Sequence, residues 1–453
     1  MTIMPRRSPG LSFSPLVILM AALPFLGCSG ASSPKPTADD PSVVASLPAS
    51  PPPSSANTYI GSQSPGLWSL SLDDSKNTFS YQPLTYPASP NAPVSGSFQP
   101  SNGFLNFGQS NGKSLGYALE IPGRTAVFRP GDITNPPVVS VPQTSCYAIT
   151  GRLRFQFIAM QPGSYSSGQE NPFTPLLYYG SFVASTSSDG SSWQFANLQG
   201  GSLQQQAEGP GKVVGISGPT SFTGSCKAAN GQANVAISGA TVFNGLWSIF
   251  SAVQVPTPNT ATVLNVGPSG FFVLDQSDPT ATSPNGAAVI GVVEPSSSLS
   301  TSQVAAGNYL GFLYEPENSG TAPAIMTPVA FGQVPATGST MTGGTFPNDD
   351  VTQTPNSDIV VNLGKQDSTL NGLYPSVAIT VLDPFQNCAN FTGYVAGGPR
   401  GTPGINAQGY ITCTFSAVAV AGNPEGKYAI FINSYNWAAQ IGGVPMQLYL
   451  YQQ

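Results

Sequence analysis

The sequence predicts an all-β body: two tandem, distantly related antiparallel β-sandwich or β-barrel domains following a disordered tether. Three observations carry that prediction. Apolar residues alternate with polar ones at period two, as in Trp68-Ser69-Leu70-Ser71-Leu72 and through Leu153, Phe155 and Phe157. Short stretches of this kind recur between turn signals, the pattern of antiparallel sandwiches and barrels. Apolar residues at helical spacing are nearly absent, and the chain of 453 residues carries 50 Gly and 45 Pro.

The elements follow in order. Leu70 and Leu72 lead into Asp73-Asp74-Ser75-Lys76-Asn77, a turn by composition, and Phe79 to Tyr81 resumes extended. Further strands are expected at Val94 to Phe98, Phe104 to Phe107, Tyr117 to Ile121 and Ala126 to Phe128. A longer one is expected from Tyr147 to Met160, then Leu177 to Ala184, Trp193 to Leu198 and Val213 to Ile216. The best helix candidate is Ser300 to Ala306, two turns at most. Strands return at Tyr309 to Tyr314, Pro328 to Phe331, Ile359 to Leu363 and Val377 to Leu382. The chain closes with Thr412 to Val420, Tyr428 to Ile432 and Gln447 to Tyr451, the last reading as a docked terminal strand.

Two segments echo one another. Gly66-Leu67-Trp68-Ser69 recurs as Gly245-Leu246-Trp247-Ser248, and the stretch from Pro100 to Asn111 is matched by one from Pro268 to Asp278. An apolar strand carrying an acid and a proline follows each: Leu119-Glu120-Ile121-Pro122, then Val292-Val293-Glu294-Pro295. Three matches in order suggest a degenerate duplication. The expected organisation is therefore a leader over 1–27, a tether over 28–57, and β domains over 58–240 and 241–453.

Composition excludes several chemistries. Charged residues are 8% of the chain and the net charge is −6, with no basic cluster, so no nucleic-acid partner is expected. Histidine is absent altogether. That removes Ser-His-Asp and Cys-His catalysis and imidazole zinc sites, and no cofactor or metal is expected. Of five cysteines, four lie in the body: Cys146, Cys226, Cys388 and Cys413. They permit three connectivities, of which Cys146–Cys226 with Cys388–Cys413 keeps each pair in one half of the chain. Buried free thiols are the alternative.

The N-terminus says where the chain is tied. Arg6 and Arg7 precede an apolar run from Leu16 to Leu26, shorter than the roughly 20 residues a membrane-spanning helix needs. The run ends in Phe25-Leu26-Gly27-Cys28, which resembles the lipobox of bacterial lipoprotein signal peptides, with Phe25 where leucine is usual. The resemblance implies cleavage before Cys28 and acylation of its sulfur, so that the lipid bilayer becomes a partner through Cys28. Two or more acyl chains anchor stably where one is marginal. Ser29, rather than Asp, after the cysteine implies the outer membrane. Residues 29–57, rich in Pro, Ser and Ala, form a tether that lifts the body off the bilayer. The body resembles Gly/Ser/Thr-rich surface lipoproteins of environmental bacteria, a resemblance that implies no mechanism.

Four chemistries remain for the body. Gly66-Leu67-Trp68 and Gly245-Leu246-Trp247 resemble the first strand of lipocalins, which would imply calycin-like cups for small apolar ligands; a tryptophan in a strand core is the commoner meaning. Paired carboxylates would run glycoside hydrolysis without histidine. The candidates are Asp73, Asp74, Glu120, Asp275, Asp278, Glu294, Asp349, Asp350 and Asp383, most of them in turn contexts where Asp caps backbone. Asn348-Asp349-Asp350, or Asp275 with Asp278, offers oxygen ligands for calcium without an EF-hand spacing. Tyr178, Tyr179, Tyr435 and Trp437 would stack on sugar rings if exposed, although such aromatics are more often packed inside. The leading expectation is a non-enzymatic envelope lipoprotein, a binding, adhesive or structural module with no catalytic residue; the alternatives are a carboxylate-dependent glycosidase and a binder of small apolar ligands.

Overall fold

The computed structural model describes residues 54–62, 67–84, 92–110, 113–131, 137–143, 146–161, 176–206, 209–216, 221–229, 232–238, 261–266, 270–277, 288–315, 325–383, 402–405, 411–436 and 444–453. Cys28, Trp247, Trp437, Asp278 and Cys388 lie outside them. The described residues are nearly all β, and their only α-helix, Thr301–Ala305, is five residues long. None of their helices is long and apolar enough to cross a membrane.

The strands build three antiparallel units. The N-terminal sheet has nine strands, with Ala56–Ser62 paired between Leu67–Asp73 and Val138–Pro142. Its two edges, Val94–Ser97 and Gln99–Ser101, are separated only by Phe98, so the sheet curls into a nearly closed barrel. Its inner face packs Tyr59, Leu70, Phe79, Tyr81, Phe107 and Phe128. Phe79 and Phe107 stack with ring centroids 4.0 Å apart.

The middle unit closes completely. The strands Leu153–Gln161, Leu176–Thr186, Ser192–Gln206, Ser221–Ala229, Gln232–Ser238, Ala261–Val266, Phe271–Ser277 and Ala288–Val293 each pair with the next, and the last pairs with the first. Gly209–Ile216 adds a hairpin strand to the far half of Ser192–Gln206. The C-terminal unit repeats the plan with Tyr309–Glu315, Ile325–Thr337, Thr340–Thr345, Ile359–Asn362, Leu373–Asp383, Ile411–Gly422, Ala429–Asn436 and Val444–Gln452. Both are up-and-down barrels, and closure removes the free edges that a chain poor in lysine is ill equipped to protect.

The expected limit at residue 240 falls between Gln232–Ser238 and Ala261–Val266, which pair, so one sheet continues past it. The repeat motifs land on different units. Trp68 lies on a strand of the N-terminal sheet, packed against Tyr81 and Phe128; Phe104 lies in that sheet and Phe271 in the middle barrel. The strand expected from Tyr147 begins only at Leu153. Before it, Cys146 is disulfide-bonded to Cys226 with Cα atoms 5.9 Å apart, Ile149 N–H donates to Thr186 Oγ1, and Gly151 turns the chain at φ 87°. The side chain of Cys413 is outside the described set.

Among the described residues, aromatic and aliphatic side chains pack into both barrel interiors. In the middle barrel Phe155 meets Phe182 and Phe272, both at 5.4 Å, and Phe182 meets Phe195. In the C-terminal barrel Met341, Val361, Ile379, Ile432 and Leu448 point inward, together with the small Ala417, Ala419 and Ala421.

The outer faces are buried too. Phe104, Val127 and Val141 of the N-terminal sheet, Ile158, Phe271 and Val292 of the middle barrel, and Phe312, Val418, Phe431 and Tyr449 of the C-terminal barrel form one joint core. Strand Val138–Pro142 lies against Phe271–Ser277, and Leu153–Gln161 against Ala429–Asn436. Strands in this seam are therefore apolar on both faces: Ala419 and Ala421 face the barrel interior while Val418 and Val420 face the neighbouring units.

Candidate functional site

Two adjoining hollows open on the C-terminal barrel, one of them at its contact with the N-terminal sheet. One, of ≈ 490 Å³, is lined by Asn102, Leu310, Ala330, Gln333, Phe346, Thr352, Gln353, Thr354 and Pro355. The other, of ≈ 350 Å³, is lined by Asn308, Tyr309, Leu310, Phe331, Gly332, Gln333 and Gln453. Leu310 and Gln333 belong to both. Volumes of this order fall in the range of small-ligand sites, roughly 300–1,000 Å³.

Local sequence explains how each wall is held. Asn102 and Gly103 form a two-residue hairpin turn between Ser101 and Phe104, both with positive φ (48° and 83°), the geometry that Asn-Gly supplies most readily. The Asn102 side chain donates to Val351 O at 2.7 Å, fixing the turn to the loop that forms the facing wall. Gly103 sits so close to Leu310 that a Cβ there would lie 2.3 Å from Leu310 Cδ1. Phe104 then packs edge-on against Phe312 and Phe346.

The second wall is made by a bulge. In strand Ile325–Thr337 the register shifts between Phe331 and Val334, and Gly332 takes φ 99°. A bulge inserts residues that the ladder does not pair and re-aims their side chains; here Gln333 turns into the space common to both hollows. The third wall is a turn built on Asp350. Its carboxylate accepts from the N–H and hydroxyl of Thr352 at 3.0 and 2.7 Å and from Gln353 Nε2 at 3.1 Å. Those bonds, the Thr352 hydroxyl foremost, hold its pKa below the ordinary value.

Among the described residues, the carboxylates named from sequence sit in separate hydrogen-bonded settings, although Asp74 is near enough to Glu120 to help raise its pKa. Glu120 accepts from Tyr59 Oη and from Asn57 Nδ2 beside the point where the chain enters the fold, and burial pushes its pKa up to about 7. Glu294 accepts from Arg154 at 3.3 Å and from Asn371 N–H at 2.8 Å; burial raises its pKa and Arg154 opposes the rise. Asp349 pairs at 2.6 Å with Arg129, itself 1% exposed and also donating to Met326 O, so the ion pair joins sheet to barrel. Burial raises the Asp349 pKa and Arg129 counters it. Asp73 makes a surface turn, its pKa lowered to about 2 by the Lys76 bond, and Asp74 lies beside it. Asp349 and Asp350 thus face different partners rather than one cation site, and no group of three metal-ligating side chains forms among the described residues. The side chains of Asp275, Asp383 and Tyr435 are outside the described set. Tyr178 and Tyr179 are buried, at 2% and 8% exposure, so they do not form the exposed patch.

Sequence reasoning did not pick out the hollows. Two signals pointed there: the Asn102-Gly103 dipeptide, which marks a tight hairpin, and an isolated Gly332 within a strand pattern, which marks a bulge.

No family model matches the chain, and no curated protein matches it. Among solved structures it is similar to a tryptophan-to-alanine mutant of the vaccine antigen Transferrin Binding Protein B from Haemophilus parasuis Hp5. The TM-score is 0.23 and the identity 8%, over 88% of this chain and 76% of that one.

Proposed function

We propose that the chain is an outer-membrane lipoprotein, anchored through acylated Cys28, whose body is a non-enzymatic binding module. The observation that carries this reading is the fate of the buried carboxylates. Histidine-free hydrolysis of a glycoside needs two carboxyls facing each other roughly 5–10 Å apart across one cleft. Glu120, Glu294 and Asp349 are instead bound into separate contacts within and between the β units. A hollow with no charged side chain in its lining, at the contact of two units, supports recognition rather than turnover.

The anchor is tested by labelling. Radioactive palmitate is expected to enter the wild-type protein in a lipoprotein-processing bacterium and not the Cys28→Ala variant; equal labelling of both would overturn the anchor. The non-enzymatic part is tested by a reducing-sugar assay over a polysaccharide panel, for which no turnover is expected. Turnover that Glu120→Gln or Glu294→Gln abolishes would replace this reading with the glycosidase.

A further inference from the structure

The paired hollows around Leu310 and Gln333 have a lining that specifies a ligand class. None of the side chains lining them is charged. An anion entering them would lose hydration without gaining a counter-charge. The polar lining is dominated by carboxamides: Asn102, Asn308, Gln333, Gln353 and Gln453, with the hydroxyls of Thr352 and Thr354. A carboxamide offers two donors and an acceptor on one planar group, which matches neighbouring hydroxyls on a sugar ring. The same lining includes Leu310, Ala330, Phe346 and Pro355, apolar surface suited to the C–H face of that ring.

The amides are also positioned in advance. Asn102 is held by its bond to Val351 O, Gln353 by Asp350, and Gln453 by Nε2 donating to Tyr451 O at 3.1 Å. Each bond uses the amide nitrogen as donor and leaves the amide oxygen to accept. Fixing these side chains beforehand lowers the ordering cost of binding. Gln333, aimed by the Gly332 bulge, stands at the junction of the two hollows, where adjacent sugar units would meet.

We infer that the hollows form a two-subsite groove for a neutral oligosaccharide, with Gln333 at the junction. This rests on the binding-module reading and supplies its ligand class. The test is isothermal titration of the mature chain with neutral hexasaccharides (α-glucan, β-glucan, galactan and mannan) and with sialylated and sulfated oligosaccharides of similar length. The variants are Gln333→Ala with Thr354→Ala, and Gln333→Trp, which would fill the junction. Both residues are exposed, so the thermal midpoint is expected to stay within a few degrees of wild type.

The expected result is binding to at least one neutral hexasaccharide and none to the acidic ones, weakened about tenfold by the double alanine variant and abolished by Gln333→Trp. Binding that neither variant alters would overturn the groove while leaving the module reading in place. A preference for acidic glycans, or no binding to any neutral hexasaccharide, would overturn the ligand class. Neither result bears on the palmitate and turnover tests, which decide the module reading separately.

Discussion

Glu120 shows how much one side chain can say about this fold. It lies near the end of strand Gly116–Ile121 and reaches strand Ala56–Ser62, accepting from Asn57 and Tyr59. Asn57 Nδ2 also donates to Ser54 O, and Tyr59 Oη accepts from Gly123 N–H, so the acid completes a small network that ties the entry strand down. No basic side chain is among its partners, and burial is the largest influence on it, lifting its pKa from 4.5 to about 7. A raised carboxyl pKa means that the folded state holds the proton more tightly than the unfolded one. Its stabilising contribution is present below about pH 4.5 and is lost as pH rises through about 7. Glu120→Gln, which keeps the shape and an acceptor oxygen, is expected to be nearly neutral at pH 4.5. At pH 8 it should stabilise by about 1–3 kcal/mol in urea unfolding. A gain of the same size at both pH values would mean that the acid's charge is not what costs stability.

At the scale of elements, the joints between units are polar as well as apolar. Asn433 donates to both Ala159 O and Tyr178 O at 3.0 Å, accepts from Gln447 Nε2 at 2.8 Å, and Gln447 in turn accepts from Tyr449 Oη at 2.5 Å. The chain of bonds crosses from one barrel to the other with both Asn433 amide hydrogens and its oxygen satisfied, which fixes how the barrels meet. The Asn102-Gly103 turn is the corresponding joint on the N-terminal sheet. Gly103→Ala would force φ 83° on a residue with a Cβ and press that Cβ into Leu310. It is expected to destabilise the protein by about 1–2 kcal/mol, measured by chemical denaturation. An unchanged midpoint would show that the turn does not dock as described.

Strand legibility followed side-chain size. Strands with large alternating residues, such as Leu67–Asp73, Tyr309–Glu315 and Val444–Gln452, were readable because period two was visible. Ala56–Ser62, Gln232–Ser238 and Thr340–Thr345 were not, because Gly, Ala, Ser and Thr look like loop. Those small residues answer to packing: a Cβ on Gly343 would lie 2.2 Å from Ala330 O, and one on Gly61 2.5 Å from Val139 O. The candidate site was less legible still, because Asn102, Leu310, Gln333 and Thr354 converge only after four separate segments have packed.

At the scale of the whole molecule, the sequence suggested tandem β domains, and the described residues of the β units share a core. A strand buried on one face only makes one apolar stripe. Here Phe431 and Tyr449 face the middle barrel while Ile430, Ile432 and Leu448 fill the C-terminal one, and Val127 faces outward from a strand whose Ala126 and Phe128 fill the N-terminal sheet. Each large side chain in that seam contributes about 1.5–3 kcal/mol of burial that an isolated unit would forfeit. The body is then expected to unfold as one cooperative unit rather than barrel by barrel. Truncating the seam with Phe431→Ala should lower the whole transition by about 3–5 kcal/mol rather than split off one part of it.

Differential scanning calorimetry of the mature chain, with its disulfide intact, tests that shared core most directly. The account predicts a single endotherm whose calorimetric and van't Hoff enthalpies agree. Two or three resolved endotherms, with Phe431→Ala shifting only one of them, would show the units to be independent and contradict the joint core.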